Sequence, residues 1–541
     1  MLAALLLSIL ILFLSRLMHR LVTGALASVP GPRLAAVSRL WYGLQVRNGR
    51  LLQLATTLHK KYGPAVRVGP NEVWFDSQEA FKMIYISTVL FHPEMDWRKP
   101  FTLDFPDTLD LLSERDMKRY RQQRRLIGPV YHESNVAKFG NQVDAVLDKA
   151  VAELKTLNGA EVDLKEWMHI VVVECLGAVV LGWSPKFLEN HTDFGSSSAS
   201  YFNWRRKSVF GLFPGLVVAE FLCGGRGWVI RPFTTVWRLG YETRAGFRNF
   251  FLGLGQRVAA RVRKAKRLLA EREVREAAAG KTGKPSKSSK MAANRDLISD
   301  LIDLHRAKPD FNELYLRRMA ITNFGAGHET MCSALTAAMA MIGSHPEVFR
   351  RVAEEVRALK GNDKSVSSAR NAMAKTPFTA ASIKEAQRLH PAIGMSLSRV
   401  VPEGPPVELH GHKLPPGTIV GCSPPALHRN RDIFGPDADE FRPERWLEDK
   451  EEGQDPLQRR LMERINLTWG GGARTCPGRY LAELVVYNAV VALVRDFDVE
   501  ATMPEEEDIK YYFLAMLEGA RAKFHIREKE TRKRRESTTA L

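Results

Sequence analysis

The sequence predicts a mainly α-helical fold with a small β-rich part, an α+β arrangement within one large domain. Apolar residues recur at helical spacing from about Leu111 to about Leu359. Residues 63–76 (GPAVRVGPNEVWFD) are typical of two short strands around a Gly-Pro turn. After Pro391 the chain changes to short strands and turns, and it returns to helix after Pro477. With 541 residues, 45% hydrophobic and 26% charged, the chain can bury a large core, which excludes a fully disordered or collagen-like protein.

The first residues predict a membrane anchor. Residues 1–15 are almost wholly apolar, and two arginines and a histidine follow them by residue 20. The apolar run is short of the ~20 residues of a full span unless the next residues extend it. Because the positive charges follow the run, the rest of the chain is expected on the cytoplasmic side. We predict an uncleaved anchor over residues 1–28; the alternative is a signal peptide cleaved after Ala25-Leu26-Ala27.

The remainder is expected to form one domain over residues 29–526. The stiff segment Pro30-Gly31-Pro32 cannot continue a helix and separates this domain from the anchor. Residues 527–541 are predicted to be a charged, disordered tail, and residues 280–290 (GKTGKPSKSSK) a solvated loop. The apolar residues 210–223 form either a lid or membrane-contacting patch, or buried core.

The charge balance predicts an anionic partner. Lys plus Arg number 79 and Asp plus Glu 61, and the net charge of +18 suits an acidic protein, a lipid headgroup or nucleic acid. The basic loop carries no interleaved aromatic residues that could stack on bases, so we expect no nucleic-acid partner. The five cysteines are scattered without a CxxC pair, which argues against a disulfide framework or a zinc knuckle and favours a reducing compartment.

One cysteine lies in an unusual setting, because residues 469–478 read WGGGARTCPG. An iron-binding sulfur must be ionised, and backbone N–H donors and a helix N-terminus both lower the pKa of a cysteine. The three glycines allow an unusual backbone path close to a flat ligand, and Pro477 suits the first turn of a helix. We therefore predict a metal-binding thiolate at Cys476, at the head of a buried helix. The alternative is a small buried apolar residue.

This segment resembles the haem-binding loop of the cytochrome P450 family, usually written F-x-x-G-x-R-x-C-x-G. Gly472, Arg474, Cys476 and Gly478 match the pattern, and Trp469 stands where phenylalanine is usual. The resemblance implies haem b (iron protoporphyrin IX) with Cys476 as its proximal thiolate ligand, which favours O–O cleavage. It also implies that Trp469 packs over the sulfur and that the fold is the predominantly helical fold of this family.

Residues 323–330 (NFGAGHET) resemble the A/G-G-x-[DE]-T motif of the family's long central helix, through Ala326, Gly327, Glu329 and Thr330. The resemblance implies that Glu329 and Thr330 are catalytic and relay protons to bound dioxygen. Two glycines in a helix interior cost about 1 kcal/mol each relative to alanine, so we expect a local opening of the helix. The alternative is that Thr330 satisfies a backbone carbonyl while Glu329 forms a surface ion pair.

Glu385 and Arg388 are separated by one turn of a helix. Their surroundings, KEAQRLHPAIGMSLSRVVPEG, resemble the family's K helix and the strand after it, and Arg445 lies in FRPERW, close to the family's P-E-R-F segment. By resemblance Glu385, Arg388 and Arg445 form a structural, buried charge network beneath the haem. The E-x-x-R spacing alone is not specific, since it recurs in Glu347/Arg350, Glu354/Arg357 and Glu518/Arg521.

Haem carries two propionates, so cations are expected at its edge. Residues 120–124 (YRQQR) align with the family's W-x-x-x-R helix, with tyrosine in place of tryptophan. The guanidinium fork suits a carboxylate. The haem-edge residues implied by the resemblance are Tyr120, Arg124, Arg399 and Arg474. Their basic neighbours are either a solvated helix face or a docking patch for an acidic redox partner; these are Lys118, Arg119, Arg121 and Arg125.

The resemblance implies a monooxygenase in the endoplasmic reticulum membrane, with its catalytic domain facing the cytoplasm. It would insert one atom of O2 into a lipophilic small molecule by hydroxylation, epoxidation, demethylation or oxidative coupling. Electrons would come from NADPH through a separate flavoprotein, NADPH–cytochrome P450 reductase, with cytochrome b5 as a further partner. The N-terminal half is similar to fungal members, including the pisatin demethylase-like group, which implies secondary-metabolite biosynthesis. Two alternatives stay open: an isomerase or dehydratase that needs no oxygen, and a haem carrier or sensor.

The substrate pocket implied by the resemblance is mainly apolar. It has few fixed hydrogen-bonding groups, so it favours a lipophilic substrate without identifying it. The expected walls are residues 101–112, 210–218, Phe324, Ala326, 393–397 and 513–516.

Overall fold

A computed structural model describes most of the chain. The described residues are 24–86, 92–93, 116–213, 215–216, 230–240, 246–278, 295–359, 373–448 and 455–527, with the single positions 15, 18, 111 and 114. The predicted anchor at residues 1–28 lies largely outside these ranges, as do the basic loop at 280–290 and the tail beyond residue 527. Among the described residues, no helix combines the length and the apolar composition needed to cross a membrane.

The fold is predominantly helical, as predicted. The α-helices in chain order are α1 (Arg33–Val37), α2 (Arg39–Arg47), α3 (Leu51–Tyr62), α4 (Gln78–Phe81), α5 (Met117–Tyr131), α6 (Glu133–Val136), α7 (Gly140–Thr156), α8 (Leu164–Leu181), α9 (Phe187–Asn190), α10 (Ser196–Leu212), α11 (Arg231–Val236), α12 (Leu254–Ala278), α13 (Leu297–Ala307), α14 (Glu313–Gly343), α15 (Pro346–Arg357), α16 (Pro377–Leu389), α17 (Pro424–Leu427), α18 (Arg431–Phe434), α19 (Pro456–Ile465) and α20 (Arg479–Asp496). Short π or 3-10 segments span Lys82–Ile86, Ala137–Phe139, Pro443–Trp446 and Gly472–Arg474.

Small sheets accompany the helices. The strands are β1 (Ala65–Gly69), β2 (Glu72–Phe75), β3 (His92–Pro93), β4 (Val162–Asp163), β5 (Arg399–Val400), β6 (Val407–Leu409), β7 (His412–Leu414), β8 (Ile419–Cys422), β9 (Phe497–Thr502) and β10 (Arg521–Ile526). They form a five-stranded sheet in the order β1-β2-β8-β5-β3, a three-stranded sheet β4-β10-β9 and a hairpin β6-β7. The predicted strand pair of residues 63–76 is the antiparallel pair β1–β2.

Helix α14 lies at the centre of the fold. Its N-cap Asn312 accepts a hydrogen bond from the backbone N–H of Tyr315 at 2.9 Å, and residues 331–342 are buried. The helix is continuous, so the local opening expected at its glycines is wrong. A Cβ at Gly327 would lie 3.2 Å from Met331 Cε and 3.4 Å from Leu176 Cδ1, so this glycine lies in contact with α8.

The packed domain begins before the Pro-Gly-Pro segment. Leu26 and Val29 are buried in the core around the five-stranded sheet. Arg67 Nη1 donates to the Leu26 carbonyl at 3.1 Å, and Arg67 N donates to the Pro30 carbonyl at 2.7 Å. A Cβ at Gly31 would lie 2.3 Å from the Arg67 carbonyl oxygen, so this position needs glycine. These contacts hold residues 26–31 against strand β1.

Candidate active site

Glycines fix the loop that carries Cys476. Gly472 has φ +62°, and a Cβ there would lie 1.8 Å from the carbonyl oxygen of Tyr85, so only glycine fits. Gly470 also has positive φ, at +78°. The backbone N–H of Cys476 donates to the Trp469 carbonyl at 2.8 Å and closes the loop. The loop therefore has the unusual backbone path, and its closest contact is with another part of the protein, the Tyr85 carbonyl.

Cys476 lies in a recess just before helix α20. Gly478 is the N-cap of that helix, so Pro477 stands outside it. The Cys476 side chain is exposed to solvent although protein surrounds it, and the Gly478 N–H donates to its sulfur. Burial raises the pKa of Cys476, and this N–H and the charges of Arg124 and Arg479 oppose the rise only in part. The backbone N–H lowers the pKa of Cys476 as expected, but desolvation outweighs it and the net pKa is raised; a bound metal ion would supply further positive charge.

Three arginines converge around one tyrosine. They are Arg124, Arg399 and Arg474, hereafter the arginine group. The Arg474 guanidinium lies 4.1 Å from the ring centroid of Tyr120, whose hydroxyl donates to the Ala473 carbonyl at 3.3 Å. Burial raises the pKa of Tyr120, while the arginine group acts in the opposite direction. Burial lowers the pKa of Arg399, and burial together with Arg399 lowers the pKa of Arg474 to about 10.

Within the described part of the chain, no carboxylate forms an ion pair with the arginine group. Arg399 Nη1 donates to the carbonyls of the two residues before it, both at 3.0 Å. Arg474 donates to the carbonyls of Leu111 and Glu114, and its buried Nε has no hydrogen-bond partner among the described residues. A buried cation without a counter-charge is costly, so this set of donors favours an anionic ligand.

These residues fit a haem. A porphyrin iron needs one accessible sulfur, which Cys476 offers, and two propionates need cations, which the arginine group offers. The unpartnered Arg474 Nε is a donor that a propionate oxygen would satisfy. Among the described residues, no three His, Cys, Asp or Glu side chains converge as a protein-only metal site.

Helix α14 has an open face near its middle. Ala326 is exposed there, and Thr330, one turn later, donates from Oγ1 to the Ala326 carbonyl at 2.7 Å, as in the alternative interpretation. Glu329 instead lies beside His328, with Oε1 3.2 Å from Nε2. The surface ion pair considered for Glu329 is wrong, because its side chain is only 12% exposed. Among the described residues, no hydrogen bond joins Glu329 to Thr330.

Glu385, Arg388 and Arg445, hereafter the Glu385 network, lie together without exposed surface. Arg388 Nη2 and Arg445 Nε donate to Glu385 Oε1 at 2.8 and 2.7 Å. The indole N–H of Trp446 donates to Oε2 at 2.8 Å. Burial alone would raise the pKa of Glu385, but the two guanidinium groups outweigh it and lower the pKa. The structure thus brings the three residues together; their role in shaping a haem site stays a prediction.

The expected pocket walls divide into accessible and buried residues. Ala326 is exposed, and Ile393 and Leu397 are partly exposed. Phe324 and residues 513–516 are buried, and Ala515 and Met516 line a small cavity beside α14. Phe324 is two residues from Ala326, about 200° around the helix, and therefore points the other way. Of the remaining expected walls, residues 101–110, 112, 214 and 217–218 lie outside the described residues, while Phe210 is buried core.

Trp469 takes part in the loop through its backbone. Its carbonyl accepts from Cys476 N, and its ring centroid lies 5.8 Å from the Arg479 guanidinium carbon. Packing of this ring over the sulfur stays a prediction.

Sequence reasoning missed polar residues that surround Glu329. His328 lies inside the GHET segment, at a position where the family pattern accepts any residue. Its place beside Glu329 in the sequence was therefore the only indication that the two side chains are close. His169 and Asp193 are brought near it by the fold, and nothing in the sequence relates these distant positions.

The cytochrome P450 family model matches residues 30–218 and 250–522 of the chain. The chain is 51% identical over 537 residues to cytochrome P450 monooxygenase sdnT of Sordaria araneosa, covering 95% of this chain and 93% of that protein. It is 28% identical over 515 residues to cytochrome P450 monooxygenase gsfF of Penicillium aethiopicum, covering 93% and 94%. It is 27% identical over 485 residues to a pisatin demethylase of Fusarium vanettenii, covering 88% and 84%. The chain therefore belongs to the cytochrome P450 family and is a monooxygenase, an oxidoreductase that uses O2, a small-molecule substrate and a redox partner.

Proposed function

We propose that this chain is a haem–thiolate monooxygenase, anchored by its N-terminal segment in the endoplasmic reticulum membrane. It inserts one oxygen atom from O2 into a lipophilic small molecule by hydroxylation, epoxidation, demethylation or oxidative coupling, in secondary-metabolite biosynthesis. Similarity to fungal monooxygenases and to a pisatin demethylase supports this class of substrate. The observation that carries the proposal is the accessible sulfur of Cys476 near an arginine group that forms no ion pair with a carboxylate of the described residues.

Cys476 holds the iron, and the arginine group binds the propionates. When bound, the haem supplies the activation of dioxygen. The chain supplies one sulfur donor that the Gly478 N–H orients, and guanidinium forks that suit carboxylates. Arg399 and Arg474 are held by backbone carbonyls, so their positions are set before the ligand arrives.

Thr330 and Glu329 handle protons on the open face of α14. The Thr330 hydroxyl donates its hydrogen to the Ala326 carbonyl, so its oxygen remains free to accept from a water molecule. Thr330 thereby orients a water that carries the proton, and Glu329 supplies the proton. We expect Thr330→Ala to bind substrate normally and to release more peroxide per NADPH; unchanged coupling would remove Thr330 from this role.

Electrons come from NADPH through NADPH–cytochrome P450 reductase, with cytochrome b5 as a further donor. The exposed basic face of α5 supports docking of such acidic partners, because the same helix carries Tyr120 and Arg124. The basic residues that follow the apolar N-terminal run support an orientation with the catalytic domain in the cytoplasm. The exposed basic residues are Lys118, Arg119, Arg121 and Arg125.

The test combines spectroscopy with reconstituted turnover. Purified protein with reductase, NADPH and O2 is expected to form an oxygenated product identified by comparing metabolites of strains with and without this gene. Cys476→Ser is expected to lose the thiolate-type Soret shift of the reduced, carbon-monoxide-bound form, and Cys332→Ser in α14 is expected to keep it. A shift that survives in Cys476→Ser contradicts the ligand assignment. Turnover without NADPH would indicate an isomerase or dehydratase, and haem binding without turnover would indicate a carrier.

A further inference from the structure

Tyr85 lies where the loop of Cys476 meets the arginine group. It belongs to the short π segment Lys82–Ile86, and such segments are rare and frequently lie at functional sites. The Tyr85 side chain is only 7% exposed, and burial raises the pKa of its hydroxyl, which therefore keeps its hydrogen at neutral pH. Tyr85 is thus a buried hydrogen-bond donor and acceptor beside the candidate active site.

The Tyr85 hydroxyl is inserted between two neighbouring segments of the five-stranded sheet. Leu397 N donates to the Cys422 carbonyl at 3.3 Å, which is one of the two bonds that opposite residues of an antiparallel pair exchange. The second bond of this pair is replaced by two bonds through the hydroxyl. Cys422 N donates to the hydroxyl at 2.8 Å, and the hydroxyl donates to the Leu397 carbonyl at 2.9 Å. The hydroxyl therefore fixes the Leu397 carbonyl relative to strand β8.

The same carbonyl holds Arg399. Arg399 Nη1 donates to the Leu397 carbonyl at 3.0 Å, and the guanidinium carbon lies 5.0 Å from the centroid of the Tyr85 ring. A guanidinium at this distance over an aromatic ring is attracted to it. Arg399 therefore depends on Tyr85 twice, through the ring and through a carbonyl that the hydroxyl fixes.

The other side of Tyr85 supports the loop of Cys476. A Cβ on Gly472 would lie 1.8 Å from the Tyr85 carbonyl oxygen, and a Cβ on Gly471 would lie 3.0 Å from Tyr85 Cβ. These glycines precede Cys476 by four and five residues, so the loop packs directly on Tyr85. One residue thus contacts the loop that carries the sulfur and also holds an arginine of the arginine group.

We propose that Tyr85 is a positioning residue that sets the distance between the loop of Cys476 and Arg399, and so aligns Arg399 with a haem propionate. This inference rests on the proposed function, because it concerns how the haem is held. Tyr85 acts through Arg399, whose guanidinium its ring and hydroxyl keep in place. A cation beside a propionate offsets negative charge near the iron, so a displaced Arg399 should favour the ferric form and lower the reduction potential.

The test compares Tyr85→Phe with Tyr487→Phe in the haem-loaded protein. Tyr487 is the matched control because it is similarly buried, at 6% exposed, and its hydroxyl also donates to a backbone carbonyl, that of Ala380 at 3.2 Å. Among the described residues, Tyr487 makes no contact with Arg399. We expect Tyr85→Phe to transfer haem to an acceptor apoprotein roughly 3- to 10-fold faster than wild type and to have a lower reduction potential. Tyr487→Phe should match wild type in both measurements.

A double variant separates positioning from a general loss of stability. If Tyr85 acts through Arg399, adding Tyr85→Phe to Arg399→Gln should leave haem loss and the reduction potential as they are in Arg399→Gln alone. A contribution to stability alone would instead multiply the two rates of haem loss. Multiplied rates, or wild-type haem loss and potential in Tyr85→Phe, would overturn the inference.

Amide hydrogen exchange measures the inserted hydroxyl directly. Tyr85→Phe removes the acceptor of the buried Cys422 N–H, so this amide should exchange at least about tenfold faster than in wild type, while Tyr487→Phe leaves it unchanged. An unchanged Cys422 amide in Tyr85→Phe would show that the hydroxyl does not join the two segments, and it would overturn the inference. If wild-type protein binds no haem, the proposed function fails and the inference fails with it. A failure confined to the Tyr85 variants leaves the proposed function standing.

Discussion

The Glu385 network and the arginine group both shield guanidinium groups from solvent, fully at Arg399 and in part at Arg124 and Arg474 within the second group, and they differ in what surrounds the charge. In the network, one carboxylate accepts from two arginines, and Arg388 Nη1 also donates to two backbone carbonyls at 2.6 Å. In the arginine group, the described residues provide carbonyls but no paired carboxylate, and Arg474 Nε has no partner.

This difference distinguishes charged groups that stabilise the fold from charged groups that are available to bind a ligand. Burying a cation is costly unless an anion compensates for it. The Glu385 network carries its compensation within the fold, so it stabilises the folded protein by itself. Among the described residues the arginine group has no ion-paired carboxylate, only the more distant charge of Glu114 on Arg474, and it gains further compensation when an anion binds. Variants in the two groups should therefore differ in whether they damage folding or cofactor retention.

Glu385→Ala should have the largest effect. It leaves Arg388 without a counter-charge and Arg445 with only Asp437 at 3.4 Å, which costs about 3–5 kcal/mol of unfolding free energy. The measurement is chemical or thermal unfolding of the purified protein, with yield of folded protein as a second measure. Glu347→Ala is the matched control, since Glu347 has the same E-x-x-R spacing to Arg350 but is 85% exposed, and it should leave stability unchanged within error. Equal losses in both variants would contradict the role of burial.

The E-x-x-R pairs show what can and cannot be predicted from the sequence alone. Spacing places an acid and a base on one helix face, but only the fold decides that Glu385 is buried and Glu347 is not. The long helix α14 and the pair β1–β2 were predictable because their patterns are local. Strands β9 and β10 were missed, although Phe497–Thr502 alternates strictly between buried and exposed side chains. The helices of residues 33–62 were missed as well.

The residues of the candidate site also differ in whether a local sequence pattern predicts them. The loop of Cys476 was predictable because its glycines and its resemblance lie within ten residues. The convergence of Arg124, Arg399 and Arg474 could be inferred only from the resemblance, since these residues are distant in sequence. His169, whose ring lies 5.7 Å from that of His328, is brought there by the packing of α8 on α14, and no local pattern carries that information.

The pH dependence of unfolding should show how much the charge of Glu385 contributes to the stability of its network. The two guanidinium groups lower the pKa of Glu385 below its usual 4.5 despite burial. The network's stabilisation is therefore fully present above about pH 4.5 and is lost as the pH falls through the lower, folded-state pKa. Glu385→Gln should be less stable than wild type at neutral pH and should approach it in acid. Urea unfolding across this range measures the difference; a constant gap at all pH values would show that Glu385 is not the titrating group.

Arg474→Gln should have a smaller effect, and on a different quantity. Arg474 is half-buried and forms no ion pair within the described residues, so its replacement should leave the apoprotein about as stable as wild type. Loss of hydrogen bonds to a charged propionate costs about 1.5–3 kcal/mol, which corresponds to roughly 10- to 100-fold faster loss of haem. Transfer of haem to an acceptor apoprotein measures this rate. Arg388→Gln is the contrasting variant and should reduce apoprotein stability first. An Arg474→Gln apoprotein that unfolds as readily as Arg388→Gln would remove the distinction between the two groups.

Tyr120→Phe should have the smallest effect. The hydroxyl makes one long hydrogen bond, 3.3 Å to the Ala473 carbonyl, so its removal should cost no more than about 0.5–1.5 kcal/mol. The ring remains beneath the Arg474 guanidinium at 4.1 Å, and this cation–π contact should hold the arginine in place. Haem loss should therefore be nearly unchanged in Tyr120→Phe and faster in Tyr120→Ala, where the ring is gone. If Tyr120→Phe instead loses haem as fast as Arg474→Gln, the hydroxyl itself is a propionate donor, and the anion site is formed by an uncharged group as well as by the three cations.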